Sequence, residues 1–115
     1  MNDIYLTITG FNHYHGLKVF KIGKLVKLVK EPDNNYDDEN ITVELRYAGK
    51  VGNVANSVKT VARGTMSAGR LYDKIQNEDY AYIKFITDTC IIAKLLDDNE
   101  LFEELNDKES DIHYI

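Results

Sequence analysis

Tryptophan is absent from this 115-residue chain, and cysteine and proline occur once each. The single cysteine, Cys90, excludes an internal disulfide framework and, with no second thiol, a zinc–thiolate cluster. Its place in the apolar run Thr89-Cys90-Ile91-Ile92-Ala93 predicts a buried, inert thiol rather than a nucleophile. No apolar run approaches the length of a membrane span. Met1-Asn2-Asp3 carries no basic leader, so a cytoplasmic protein without a membrane partner is expected. No second domain is expected either, because the chain holds neither an internal repeat nor a linker and has the size of one ordinary domain.

What is present is 43% hydrophobic residues, enough for a packed core, and a net charge of −5 that is unevenly spread. Residues 97–115 carry eight acids against one base, a balance of −7. Residues 1–96 carry the other 13 bases and 11 acids, a balance of +2. The division reads as a mildly basic domain, residues 1–96, followed by an acidic C-terminal tail, 97–115, that is flexible or a short helix capped by Asp98. Such a tail serves solubility, or it competes with a polyanion for the basic surface.

Six extended segments are expected. Ile4 to Thr9 is β-branched and roughly alternating, and Gly10 ends it. Val19 to Val29 reads as a strand bent or bulged at Gly23. Ile41 to Tyr47 and Lys50 to Val54 read as a hairpin joined by Ala48-Gly49. Tyr80 to Ile86 and Cys90 to Leu95 form a second hairpin. Between the fourth and fifth strands, Asn56 or Ser57 can cap a short helix to Val61 or Ala62, and Arg70 to Ile75 can form another. Such a pattern is mainly β: a small six-stranded barrel with one or two short helices inserted, which also removes exposed strand edges.

Several clusters carry candidate chemistry. Gly10-Phe11-Asn12-His13-Tyr14-His15-Gly16 offers flat rings for stacking on a base or sugar. His13 and His15 are two apart, but the spacing supplies no third metal ligand, although Asp37 or His113 could provide one; no metal or cofactor is assigned. The turn Glu31-Pro32-Asp33-Asn34-Asn35-Tyr36-Asp37 sets an aromatic beside a carboxylate, able to stack on a ring and accept a hydroxyl proton in one place. Asp37, Asp38 and Glu39 could suggest a two-metal nuclease, but those ligands normally converge from separate strands. Arg63, Thr65, Ser67 and Arg70 lie on a glycine-containing loop that could hold one phosphate, or that is only a cap and a tight turn. It lacks the ending of a nucleotide-hydrolysing loop. Lys18, Lys21, Lys24, Lys27 and Lys30 recur every third residue and could track a phosphate backbone, although on a strand only part of the set shares one side.

Three blocks together resemble the HIRAN domain, named for its place at the N-terminus of fork-remodelling, helicase-like translocases. They are Gly10 to Gly16; Val26 to Asp37 with Asn40-Ile41-Thr42-Val43 behind it; and Lys50-Val51-Gly52-Asn53-Val54-Ala55. They lie in the family's order and cover about residues 4–62. The resemblance implies a modified OB-like β-barrel that is not an enzyme and binds single-stranded DNA at a free 3′-hydroxyl end. It implies a setting in DNA repair or fork processing. By the same resemblance His13 and Tyr14 hold the places of rings that stack on terminal bases, and Tyr36 and Asp37 those of the pair that packs on the end nucleotide and accepts its 3′-hydroxyl. Phosphate contacts fall near Gly52, Asn53 and Asn56. Asn12 stands where a base is found in DNA-binding members, His13 replaces a tyrosine, and Asn53 and Asn56 replace a histidine and a lysine. The smaller positive charge should weaken binding and flatten its salt dependence. The alternative is a barrel turned to a protein partner after losing DNA binding.

Overall fold

A computed structural model describes residues 3–32 and 39–115. Six strands run in chain order: β1 (Tyr5–Thr9), β2 (Leu25–Glu31), β3 (Asn40–Leu45), β4 (Gly49–Val54), β5 (Glu78–Ile86) and β6 (Ile91–Leu95). They close into an antiparallel barrel in the order β1-β4-β3-β2-β5-β6. Helix α1 (Ala68–Tyr72) lies between β4 and β5, and α2 (Asp98–Asn106) follows β6. Alternation fills the barrel: Leu6, Ile8, Val26, Leu28, Ile41, Val43, Val51, Ile83 and Ile91 are fully buried. Bulges between Val43 and Glu44 and between Ile83 and Phe85 bend the two long hairpins toward closure.

The boundaries differ from expectation where tertiary contacts take over a residue. The second strand begins at Leu25, not Val19. Residues Leu17–Val19 form a 3-10 turn, and Phe20 is drawn inward against Phe11, edge to face at 6.2 Å between centroids. Gly23 is therefore a turn at φ +89 ahead of the strand rather than a bend within it. The β3–β4 link is Arg46-Tyr47-Ala48, not Ala48-Gly49, and puts Tyr47 at φ +73.

The expected helix after Asn56 is only a turn closed by the Thr60 and Val61 amides on the Ser57 carbonyl. The Asn56 side chain accepts instead from the Gly69 amide, and the Ala62 amide goes to the Thr7 hydroxyl. Propagation stops there, among the β-branched Val58, Thr60 and Val61. α1 starts at Ala68 rather than Arg70, because Ser67 caps it. Cys90 is half-buried, not buried. It lies in the β5–β6 turn, where the Thr87 hydroxyl donates to its carbonyl and accepts from its amide.

Helix α2 begins with a capping box in which Asp97, not Asp98, is the cap and Glu100 returns the bond. A 3-10 turn, Asp111–His113, follows it. Leu25, Leu96 and Ile112 form a second apolar cluster with Tyr80, Tyr82, Leu101 and Ile115, so residues after β6 pack on the outside of the barrel. Charge reinforces the contact. Asp111 meets Arg46 at 3.1 Å and Lys24 at 3.5 Å, and Lys94 meets Glu100 at 2.5 Å. The Arg46 guanidinium also lies 3.9 Å from the centre of the Tyr114 ring.

Burial, and then a hydrogen bond donated to Glu104 at 2.9 Å, raise the Tyr82 phenol well above the ordinary tyrosine value. A raised pKa means that the folded state holds its proton more tightly than the unfolded chain. That stability is complete below about pH 10 and is lost as pH rises through the folded value. Phenolate absorbance should accordingly show Tyr82 ionising late, and Tyr82→Phe should remove that step. An unchanged titration in the variant would assign the late step elsewhere.

Candidate nucleic-acid interface

At the end of β1, Gly10 turns the chain at φ +74 into a short 3-10 helix, Phe11–His13. Phe11 points inward as the anchor, and its carbonyl accepts from the Tyr14 and Gly16 amides at 3.0 and 2.9 Å. One buried ring thus fixes a turn that exposes Asn12, His13, Tyr14 and His15. His13 and His15 stay at the surface, with the His15 ring against the Ala48 carbonyl at 3.1 Å. Among the described residues no three His, Cys, Asp or Glu side chains gather for a metal ion.

The third block lies directly beside this turn. A side chain at Gly10 would meet the Asn53 amide nitrogen at 3.2 Å. Asn53 accepts from Asn40 at 3.4 Å, Asn40 donates to Glu31 at 2.8 Å, and Lys50 donates to the other Glu31 oxygen at 3.0 Å. Glu31 and Asn40 are register partners at the mouth of the β2–β3 hairpin. That hairpin carries Tyr36 and Asp37, which, with the turn after Pro32, lie outside the described residues. Glu39, on the returning side, approaches α1: its carboxylate lies 3.1 Å from where a Gly69 side chain would start, next to Asn56. The mouth of the hairpin, Gly10 at the start of the first block, Asn53 and Asn56 therefore meet at one end of the barrel, and the block runs on along β4 to Ala48.

Other residues have different work. Gly52 is buried, and a Cβ there would sit 2.8 Å from the Thr9 carbonyl oxygen; its missing side chain lets β1 and β4 meet. Lys50, not singled out from the sequence as a contact residue, lies on this face, ion-paired to Glu31 at 3.0 Å. The hydrogen bond to Glu31 holds its ammonium above the usual lysine pKa. Its signal was available, since alternation turns it outward beside inward Val51, but its partner lies across β3.

Arg63 and Arg70 flank an open cleft of about 350 Å³ shared with Asn56, Thr65 and Ser67. Thr65 donates to the Ala62 carbonyl at 2.6 Å and so takes the proton of Thr7 at 2.7 Å, while Ser67 caps Arg70. The Met66, Ala68 and Gly69 amides go to Tyr5, Ala55 and Asn56. Those hydroxyl and amide groups are turned inward, and the two guanidinium groups border the cleft, where they can face an anion. Among the described residues, no helix is long and apolar enough to cross a membrane.

A family model described as the HIRAN domain matches residues 1–73. Two solved structures share the fold. The crystal structure of the HIRAN domain of human HLTF superposes with a TM-score of 0.60 at 18% identity, covering 82% of this chain and 73% of that one. A protein from Lactobacillus plantarum superposes with a TM-score of 0.57 at 20% identity, covering 82% of this chain and 93% of that one. No curated protein matches the chain in sequence. With the family model spanning more than half of the residues, and with this barrel, the chain belongs to the HIRAN domain family.

Proposed function

We propose that this protein is a non-catalytic module that binds single-stranded DNA and prefers a free 3′-hydroxyl end, in a setting of repair or fork processing. The supporting observation is that Gly10, which starts the exposed Asn12–His15 turn, lies beside Asn53 at the barrel end where the hairpin that carries Tyr36 and Asp37 has its mouth. Rings at His13, Tyr14 and Tyr36 supply sequence-tolerant stacking. The Asp37 carboxylate accepts a hydrogen bond from a terminal hydroxyl and repels a terminal phosphate. Arg63 and Arg70 supply positive charge around the end.

A hydrogen bond to a charged group is worth about 1.5–3 kcal/mol, so the preference for a 3′-hydroxyl over a 3′-phosphate should be roughly 10- to 150-fold. Fluorescence anisotropy with a 5′-labelled oligonucleotide reads it directly, and Asp37→Ala should abolish it. Equal discrimination by wild type and variant would sink the assignment.

A second reading is a barrel that binds a protein. It is favoured by Glu31 neutralising Lys50 and by Phe102 and Leu105 lying exposed on α2. It expects no oligonucleotide binding even at low salt.

A further inference from the structure

The structure sorts the lysines that recur every third residue. Lys27 turns to Glu78 and Lys30 lies over the Tyr72 ring. Lys18, Lys21 and Lys24 stay together and line, with Val19, Leu45, Arg46, Tyr47 and Ala48, an open cleft of about 340 Å³. One wall is the 3-10 turn Leu17–Val19, and the other is the β3–β4 turn. Four cations face this cleft, and among the described residues no carboxylate lines it.

Two of the four are already answered: Asp111 pairs with Arg46 and Lys24. Lys18 and Lys21 are exposed and have no ion-pair partner among the described residues.

The rim carries a second, independent feature. Tyr47 is 89% exposed and sits at φ +73, a conformation that a bulky L-residue adopts at a cost. Its ring gains no burial in return, only the Arg46 guanidinium at 4.6 Å from its centre. Strain of this kind, kept without a packing gain, gathers at binding sites. The first block links the cleft to the candidate end site: it starts at Gly10 beside Asn53, and its His15 bonds to Ala48 on the cleft's rim.

We infer that this cleft is a second nucleic-acid contact, which holds the backbone of a single strand behind its bound end, with Lys18 and Lys21 on phosphates and Tyr47 under a base. The inference rests on a single strand as the ligand, but not on the preference for a 3′-hydroxyl. Flexible lysine heads suit a strand whose phosphates vary in position, and an exposed ring stacks on any base.

The test uses the full chain and labelled oligonucleotides of about 4 and about 16 nucleotides, each with a 3′-hydroxyl or a 3′-phosphate. For Lys18→Glu/Lys21→Glu, binding of the longer strand should fall about tenfold at low salt. Its slope of log affinity against log salt should shrink by about 1.4, at roughly 0.7 for each phosphate that is no longer neutralised. The short strand should be unaffected. The neutral pair Lys18→Gln/Lys21→Gln should shift the long strand in the same direction by less.

Unchanged long-strand affinity and slope in the Glu pair would overturn the inference. An equal loss on both lengths would also overturn it, since the lysines would then belong to the end site. The two readings separate cleanly. A wild-type chain indifferent to the 3′ group, but with a long-strand loss in the variant, fails the end reading and keeps the cleft. Absence of any oligonucleotide binding at low salt fails both.

Discussion

Gly52→Val should cost about 3 kcal/mol of stability, the upper end of what overpacking a tight core usually costs. The reason is backbone, not side chain. A Cβ at Gly52 would stand 2.8 Å from the Thr9 carbonyl oxygen and 3.0 Å from Ile8 Cγ2. Neither neighbour can step aside freely, because Ile8 and Thr9 are register partners of Val54 and Asn53. The added methyl groups would have to prise β1 from β4 and open the barrel at the point where the first and third blocks touch. For a domain of this size, such a loss lowers the melting temperature by about 12–24 °C. Urea unfolding and calorimetry both measure it. A change within about 0.5 kcal/mol, the scatter of ordinary surface substitutions, would show that β1 and β4 do not approach as described. The expected loss also bears on the candidate site, since it would show that a glycine beside the candidate asparagines acts through packing.

Tyr36→Ala should weaken binding of a short single strand roughly 5- to 150-fold, from a stacking contribution of about 1–3 kcal/mol. Tyr36→Phe keeps the ring face and should bind nearly as well as wild type. The contrast between these two variants isolates stacking from any hydroxyl contact, and anisotropy on the same labelled strand gives both numbers. Stability should change little in either, which unfolding curves would check. If Tyr36→Ala binds as tightly as wild type, the ring is not part of the contact and the end site must be built without it.

Much of the fold was legible because strands declare themselves locally. Leu6 and Ile8, or Ile41 and Val43, alternate inward in a way that period two requires. Boundaries failed where a distant residue intervened. Phe20 looks like part of a strand until Phe11 claims it, and Asn56 looks like the cap of its own helix until Gly69 takes its carbonyl oxygen. Thr7 points away from the barrel interior yet is fully buried, because it bonds to Thr65 and Ala62 on the long β4–β5 connection. No alternation pattern reveals that.

The candidate site followed the same rule. Exposure of Asn12, His13 and Tyr14 could be read from two flanking glycines. The Lys50–Glu31–Asn40–Asn53 chain could not, because it crosses three strands. The acidic composition of residues 97–115 was plain, but not their seat on the barrel. That depends on Leu96 and Ile112 finding Leu25, and on Asp111 reaching Arg46 across 65 residues.

Barrel closure also sets a timetable for the nascent chain. Strand β1 is made first, yet its long ladder is with β6, from Tyr5 opposite Lys94 to Ile8 opposite Ile91. With β4 it shares only the pairs Ile8–Val54 and Thr9–Asn53. The contiguous hairpins β2–β3–β4 can zip as soon as they leave the ribosome, whereas β1 must wait for nearly the whole barrel to be translated before its second edge is satisfied. Of the barrel's strand pairings, that of β1 with β6 spans the most chain, and so carries the largest loop-closure entropy cost. Until it forms, β1 carries an open edge, the kind of unpaired strand at which a nascent chain aggregates.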